Sequence, residues 1–226
     1  MSRQSQSPAP RGRRRSFDEE AALQAATGLF WEHGYEATSV NMLCEAMGIR
    51  PPSLYAAFGS KANLFLIVVN RYERIYWDPV WEIFDQATDL QQAFSELFDS
   101  AVDVVSTLGG HQGCLVVLSA VAHGNRGDDV AVALTKIRAD MVERIRRKLE
   151  HAVSSGQLAP DTDTLALSHA LNTVLDGIAL RAKDGLETPL LRRLARAGAG
   201  MIPRRPQEVN GSASHRRTDG AGVTEG

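Results

Sequence analysis

Glycines at positions 34, 48 and 59 divide the first quarter of this 226-residue chain into short helices. No stretch of alternating β-branched residues bounded by turn signals offers those helices a sheet. The first helix opens at Ser16, with Glu19 three residues on in a capping-box pattern. Ala22, Ala25, Ala26, Leu29 and Phe30 then recur at helical spacing as one apolar stripe. A second helix, capped by Thr38 or Ser39, turns Val40, Leu43, Cys44 and Met47 inward. Pro51 and Pro52 sit where a third helix begins, the place where a missing N–H costs least. Ser60 caps a fourth, with Leu64, Phe65, Val68, Val69 and Tyr72 on one side.

The remainder reads as longer helices near 90–108, 114–123, 128–155, 161–183 and 188–202, so the fold class is all-α. Residues 1–15 and 204–226 hold little to bury and read as disordered. The divisions are a basic arm (1–15), a head with its connecting helix (16–76), a helical body (77–203) and a tail (204–226). Net charge is −2, so the total announces no polyanion partner. The distribution says more. Met1–Tyr76 carries 9 Lys/Arg against 7 Asp/Glu, and five of the nine (Arg3, Arg11, Arg13, Arg14, Arg15) precede any acid. A solvated tail explains this as well as a nucleic-acid arm does. Two cysteines make no disulfide framework, and no signal peptide or apolar run long enough to span a bilayer is seen, which reads as a cytoplasmic protein. No GxSxG, phosphate-cradling glycine loop or HExxH is present, so no enzyme, cofactor or metal site is expected.

The most informative stretch is Thr38–Leu64, TSVNMLCEAMGIRPPSLYAAFGSKANL. Two short helices joined by a Gly-Ile-Arg turn make a helix-turn-helix. Cys44 is the small residue facing the second helix, Gly48 the left-handed turn and Ile49 the anchor after it. Leu54 and Phe58 hold the second helix from below, leaving Arg50, Ser53, Tyr55, Ala56 and Ala57 for other surfaces.

The wording Ala-Ala-x-x-Leu-Phe…Gly-Tyr-x-x-Thr-Ser, followed by Gly-Ile-x-x-x-Ser-Leu-Tyr-x-x-Phe-Gly-Ser-Lys-x-x-Leu, resembles the DNA-binding domain of the TetR/AcrR repressors. The match spans about 16–76, and Gly-Cys-Leu at 113–115 resembles one AcrR-like branch. The resemblance implies a ligand-responsive repressor acting as a homodimer on a palindromic double-stranded operator. It gives Thr38, Ser39, Tyr55 and Lys61 phosphate contacts, which position the protein without reading sequence. It gives base readout to Arg50, Pro51, Pro52, Ser53 and Ala56, of which Arg50 alone can pair bidentately with guanine. Ala56 and Ala57 stand where the family has larger residues, so readout here leans on thymine methyls or on the basic arm. Tyr55 is also readable as a core aromatic with a wet hydroxyl, and Lys61 as a surface charge.

For the body, the family leads to a dimer built by the last two long helices and a pocket for a small-molecule effector among the middle ones. Trp77, Trp81, Phe84, Phe94, Phe98, Cys114, Val117, Val121, Met141 and His169 are candidates to line it, and each is also readable as plain core. His169, Asn172 and Asp176 form a polar stripe at i, i+3 and i+7, which a ligand, a water-filled groove or the dimer seam would satisfy. Cys114 at a helix N-terminus is either a thiolate-prone sensor or a buried structural cysteine. A metal held by His111, Cys114 and His123 lacks a diagnostic spacing. Two other classes stay open: a ligand-independent architectural DNA binder and an all-helical enzyme. Loss of DNA binding in Tyr55→Phe and Lys61→Ala separates a regulator from an enzyme; release by a small molecule separates it from an architectural binder.

Overall fold

The computed structural model describes residues 17–106, 113–124 and 126–203. They form ten α-helices: α1 (Glu19–Ala37), α2 (Val40–Met47), α3 (Pro51–Phe58), α4 (Lys61–Tyr72), α5 (Asp78–Gln86), α6 (Leu90–Ser106), α7 (Leu115–His123), α8 (Asp129–Ser154), α9 (Thr164–Lys183) and α10 (Thr188–Ala199). A π-helical segment, Glu73–Trp77, joins α4 to α5. No strand occurs among the described residues.

Capping chemistry sets the first boundaries. Asp18 opens α1, its carboxylate accepting from the amides of Glu20 (3.0 Å) and Ala21 (3.2 Å). This corrects the expected start: Glu19 is the first helical residue and not the back-reaching partner of a box, and Ser16 lies outside the described residues. Gly34, at φ 78 and ψ 173, breaks α1 before its last three residues. Gly48 closes α2 in the left-handed region, and Ile49 N–H bonds the Cys44 carbonyl at 3.0 Å. The Ser60 hydroxyl caps α4 by accepting from Asn63 N–H at 3.0 Å.

The sequence reading passes from Tyr72 to Leu90 without a helix, whereas α5 fills that stretch. Pro79 looks like a breaker, yet it occupies the first turn of α5, where proline is tolerated. The expected boundary between residues 76 and 77 therefore falls inside the π-helical segment. Head and body share one continuous core running from Ala22 and Phe30 through Phe65 and Tyr72 to Phe94, Leu171 and Leu191. Within the body, α10 packs on α6 and α9, α9 on α8, and α7 on α1. Gly198 allows the α9–α10 approach, since a Cβ there would lie 2.6 Å from Val174 Cγ1.

Candidate nucleic-acid interface and body cleft

The head presents one face built from the N-terminal ends of α2, α3 and α4. Leu43, Cys44, Met47, Leu54 and Phe58 are buried beneath it. Ser39, Arg50, Pro51, Pro52 and Ala56 are exposed, Tyr55 is 50% exposed, and Ser53 and Lys61 are half-buried. Ala57 turns toward the core. Tyr55 is thus not a core aromatic.

The three helix ends differ chemically. The Ser39 hydroxyl accepts from Met42 N–H at 3.2 Å, leaving the other first-turn amides of α2 available to an anion. In contrast, α3 has no side-chain cap, Pro51 and Pro52 lack N–H groups, and the Ser53 and Leu54 amides bond Arg50 O. Contact from the start of α3 is therefore made by side chains, chiefly the Arg50 guanidinium. Lys61, at the start of α4, stands 4.3 Å above the Tyr35 ring. Burial lowers its ammonium pKa, and Glu36 opposes that shift. Thr38 corrects the expectation placed on it. It is fully buried, and its hydroxyl donates to Gly34 O at 2.7 Å, so it holds the α1–α2 corner and offers no hydroxyl to a phosphate.

The body does not gather the expected effector residues into one pocket. Trp81 and Phe98 belong to an aromatic run, Trp77–Trp81–Phe84–Phe94–Phe98, with centroid separations of 5.1–6.1 Å, and fill the core. Val121 is 62% exposed, so apolar character alone misplaced it. The others divide between two spaces. Trp77, Cys114, Val117 and Met141 line an internal cavity of about 10 Å³, roughly one water. His169 and Asn172 line a surface cleft of about 420 Å³ between α8 and α9. Asp176 lines both.

Cys114 precedes α7, where the helix dipole would favour a thiolate. Burial outweighs the dipole and pushes the thiol up to about 11, although hydrogen bonds from Tyr72 and from the Val116 and Val117 amides lower it. The Tyr72 hydroxyl donates to Sγ at 3.4 Å and accepts from Trp77 Nε1 at 3.1 Å. The structural-cysteine reading fits this geometry. His111 lies outside the described residues. His123 is committed elsewhere: Nδ1 is 2.6 Å from Glu36 Oε1 and Nε2 is 2.9 Å from the Asp128 carboxylate. No group of three His, Cys, Asp or Glu suited to a metal occurs among the described residues.

Sequence reasoning missed the seam between head and body. Trp31 Nε1 donates to Gly113 O at 2.8 Å, and Arg126 pairs with Glu36 at 3.3 Å. The partners lie 82 or more positions apart, so no local spacing signals them.

Known proteins match this arrangement. A model of bacterial regulatory proteins of the tetR family matches residues 22–68, and one of the tetracyclin repressor-like C-terminal domain matches 92–197. The HTH-type transcriptional repressor ComR of Escherichia coli K12 is 30% identical over 82% of this chain and 89% of its own. The HTH-type transcriptional repressor BdcR of the same strain is 32% identical over 77% and 83%. A cysteine-substituted form of the TetR-family transcriptional regulator CifR, solved with 26-bp double-strand operator DNA, superposes with a TM-score of 0.78 at 35% identity, over 84% of this chain and all of that one. Head, body and order of elements agree throughout, and the chain belongs to the TetR family of bacterial regulatory proteins.

Proposed function

We propose that this protein is a cytoplasmic, non-enzymatic repressor of transcription, binding a palindromic operator as a homodimer and leaving it when a small molecule enters the body. The observation that carries the reading is the exposed face of Ser39, Arg50, Tyr55, Ala56 and Lys61, on a head whose counterpart in CifR was solved with operator DNA. Arg50 reads a guanine edge, Ala56 meets a thymine methyl, and Ser39, Tyr55 and Lys61 hold phosphates.

One eight-residue recognition helix meets too few bases for useful selectivity, and two-fold symmetry doubles the contact. The surface that supports pairing is an apolar groove between α9 and α10. Val174, Gly177, Leu186, Leu190 and Leu194 line it, with Arg181 and Arg193 at its edges. Among the described residues no single helix is long and apolar enough to cross a membrane.

Fluorescence anisotropy with DNA from upstream of the protein's own gene, across a salt series, tests this. Saturable binding is expected, with a steep salt slope and preference over random DNA. Arg50→Ala should cost about 1–3 kcal/mol and relax preference at one base position. Tyr55→Phe should weaken all sequences alike. Equal affinity of the native protein for random DNA overturns the operator-specific reading.

A further inference from the structure

The cleft between α8 and α9 holds two polar atoms for which the described residues supply no partner. Asn172 is 7% exposed, and its amide nitrogen faces Asp176 Oδ2 at 3.5 Å, which turns Oδ1 the other way with no donor against it. Arg138 donates from Nη2 to the same Asp176 oxygen at 3.2 Å, while its Nε, equally shut off from solvent, meets no acceptor. Such groups are nearly always paired in folded proteins, by protein, water or ligand. An acceptor and a donor, both wanting partners, thus belong to residues lining one cleft of about 420 Å³, which lies in the range of small-molecule sites.

The charge balance narrows the occupant. Arg138 already has Asp176, and Arg146 has Glu143 at 2.8 Å and Glu150 as well. Each guanidinium lining the cleft has its carboxylate, so neither calls for a charged ligand. Val142 and the 58% exposed Leu165 supply an apolar wall, and His169 stands exposed beside them. We propose that this cleft binds an uncharged small molecule whose polar end carries a donor for Asn172 Oδ1 beside an acceptor for Arg138 Nε. The primary carboxamide is the simplest such group, with a short apolar chain lying against Val142 and Leu165. This rests on the effector-released repressor reading and adds the chemical class of the effector. The route toward the head is contiguous. Asp176 also walls the internal cavity lined by Trp77 and Cys114, both hydrogen-bonded to Tyr72 at the end of α4.

The test is thermal unfolding of the full chain with butanamide, hexanamide and octanamide, using hexanoate and hexylamine as charged controls, alongside operator anisotropy. A dose-dependent rise in Tm with an amide but not with either ion is expected, together with operator affinity lowered about tenfold. Asn172→Leu, and Arg138→Met on the more exposed side, should each weaken the amide about tenfold, the scale of one lost hydrogen bond to a buried group. Neither should change operator binding without compound. A response shared by hexanoate, or one that survives both substitutions, overturns the assignment. So does the lack of any Tm shift across the amides in a protein that binds its operator. Failure to bind an operator at all would instead strike the repressor reading, and the Tm series would still decide the cleft.

Discussion

The two ends of α7 fasten the body to α1 by opposite means. At its start the contact is dry: Trp31 Nε1 reaches Gly113 O, Tyr72 reaches Cys114, and the Trp31 and Tyr72 rings meet edge to face at 4.9 Å. At its far end the contact is charged. There the His123 ring lies between Glu36 and Asp128, Arg126 joins Glu36, and Tyr35 meets His123 edge-on at 5.3 Å. Geometry holds the first end and electrostatics the second, so they should respond differently to substitution, pH and salt.

The dry end should break most completely at Gly113. Its φ of +70 lies where L side chains are strained, and a Cβ would come within 2.6 Å of Ala179 O and 2.8 Å of Leu118 Cδ1. The first obstacle is backbone of α9 and cannot swing aside. Left-handed strain and overpacking together put the cost of Gly113→Ala at about 3 kcal/mol or more. Denaturant unfolding checks it, and a cost near zero would mean that the turn moves freely and the dry end is no fixed point.

Glu73 is the dry end's liability, and pH exposes it. Burial, helped by Asp78, pushes its carboxyl from 4.5 to about 7. The folded state therefore holds a proton that the unfolded chain has released, and stability falls as pH rises from about 4.5 to 7. Glu73→Gln removes that penalty. Its stabilising effect should be small near pH 4.5, grow through the window, and level off above pH 7 at up to about 3 kcal/mol. The carboxylates of the charged end show the contrast. Asp128 is held below its ordinary value, first by the Ala131 amide that it caps and then by His123. A Glu73→Gln gain that does not vary with pH would place the side chain in water.

These two ends also mark how far the sequence could be read. Caps at Ser39 and Ser60 and the turns at Gly48 and Gly59 are local, each settled within a few residues, so residue type alone locates them. The recognition face follows from them by helical period. Thr38 and Ser39 are adjacent hydroxyls, and only packing against Gly34 shows which one is buried. Cys114 misleads for a related reason: the helix end is visible in sequence, but the burial that outweighs it comes from Tyr72 and the other elements around it. The stripe of His169, Asn172 and Asp176 is legible as a polar face, yet Arg138, which completes it, comes from α8.

A matched pair of smaller substitutions sharpens the comparison. Trp31→Phe keeps most of the ring packing but deletes the donor to Gly113 O, at a cost of about 2 kcal/mol. Little charge is involved, so the cost should be the same in low and high salt. His123→Gln should cost less, about 1 kcal/mol, because Glu36 and Asp128 are 42% and 49% exposed and water replaces part of what the ring gave them. With a carboxylate at each ring nitrogen, only the doubly protonated ring can donate to both, which a glutamine amide cannot reproduce. The attraction lost is ionic, so the His123→Gln penalty should shrink at 1 M salt, where the screening length falls to about 3 Å. Urea titrations of both variants at low and high salt decide the matter. If His123→Gln costs the same at both salts, the far end of α7 is held by packing like the near one, and the difference between the two ends is only in their composition.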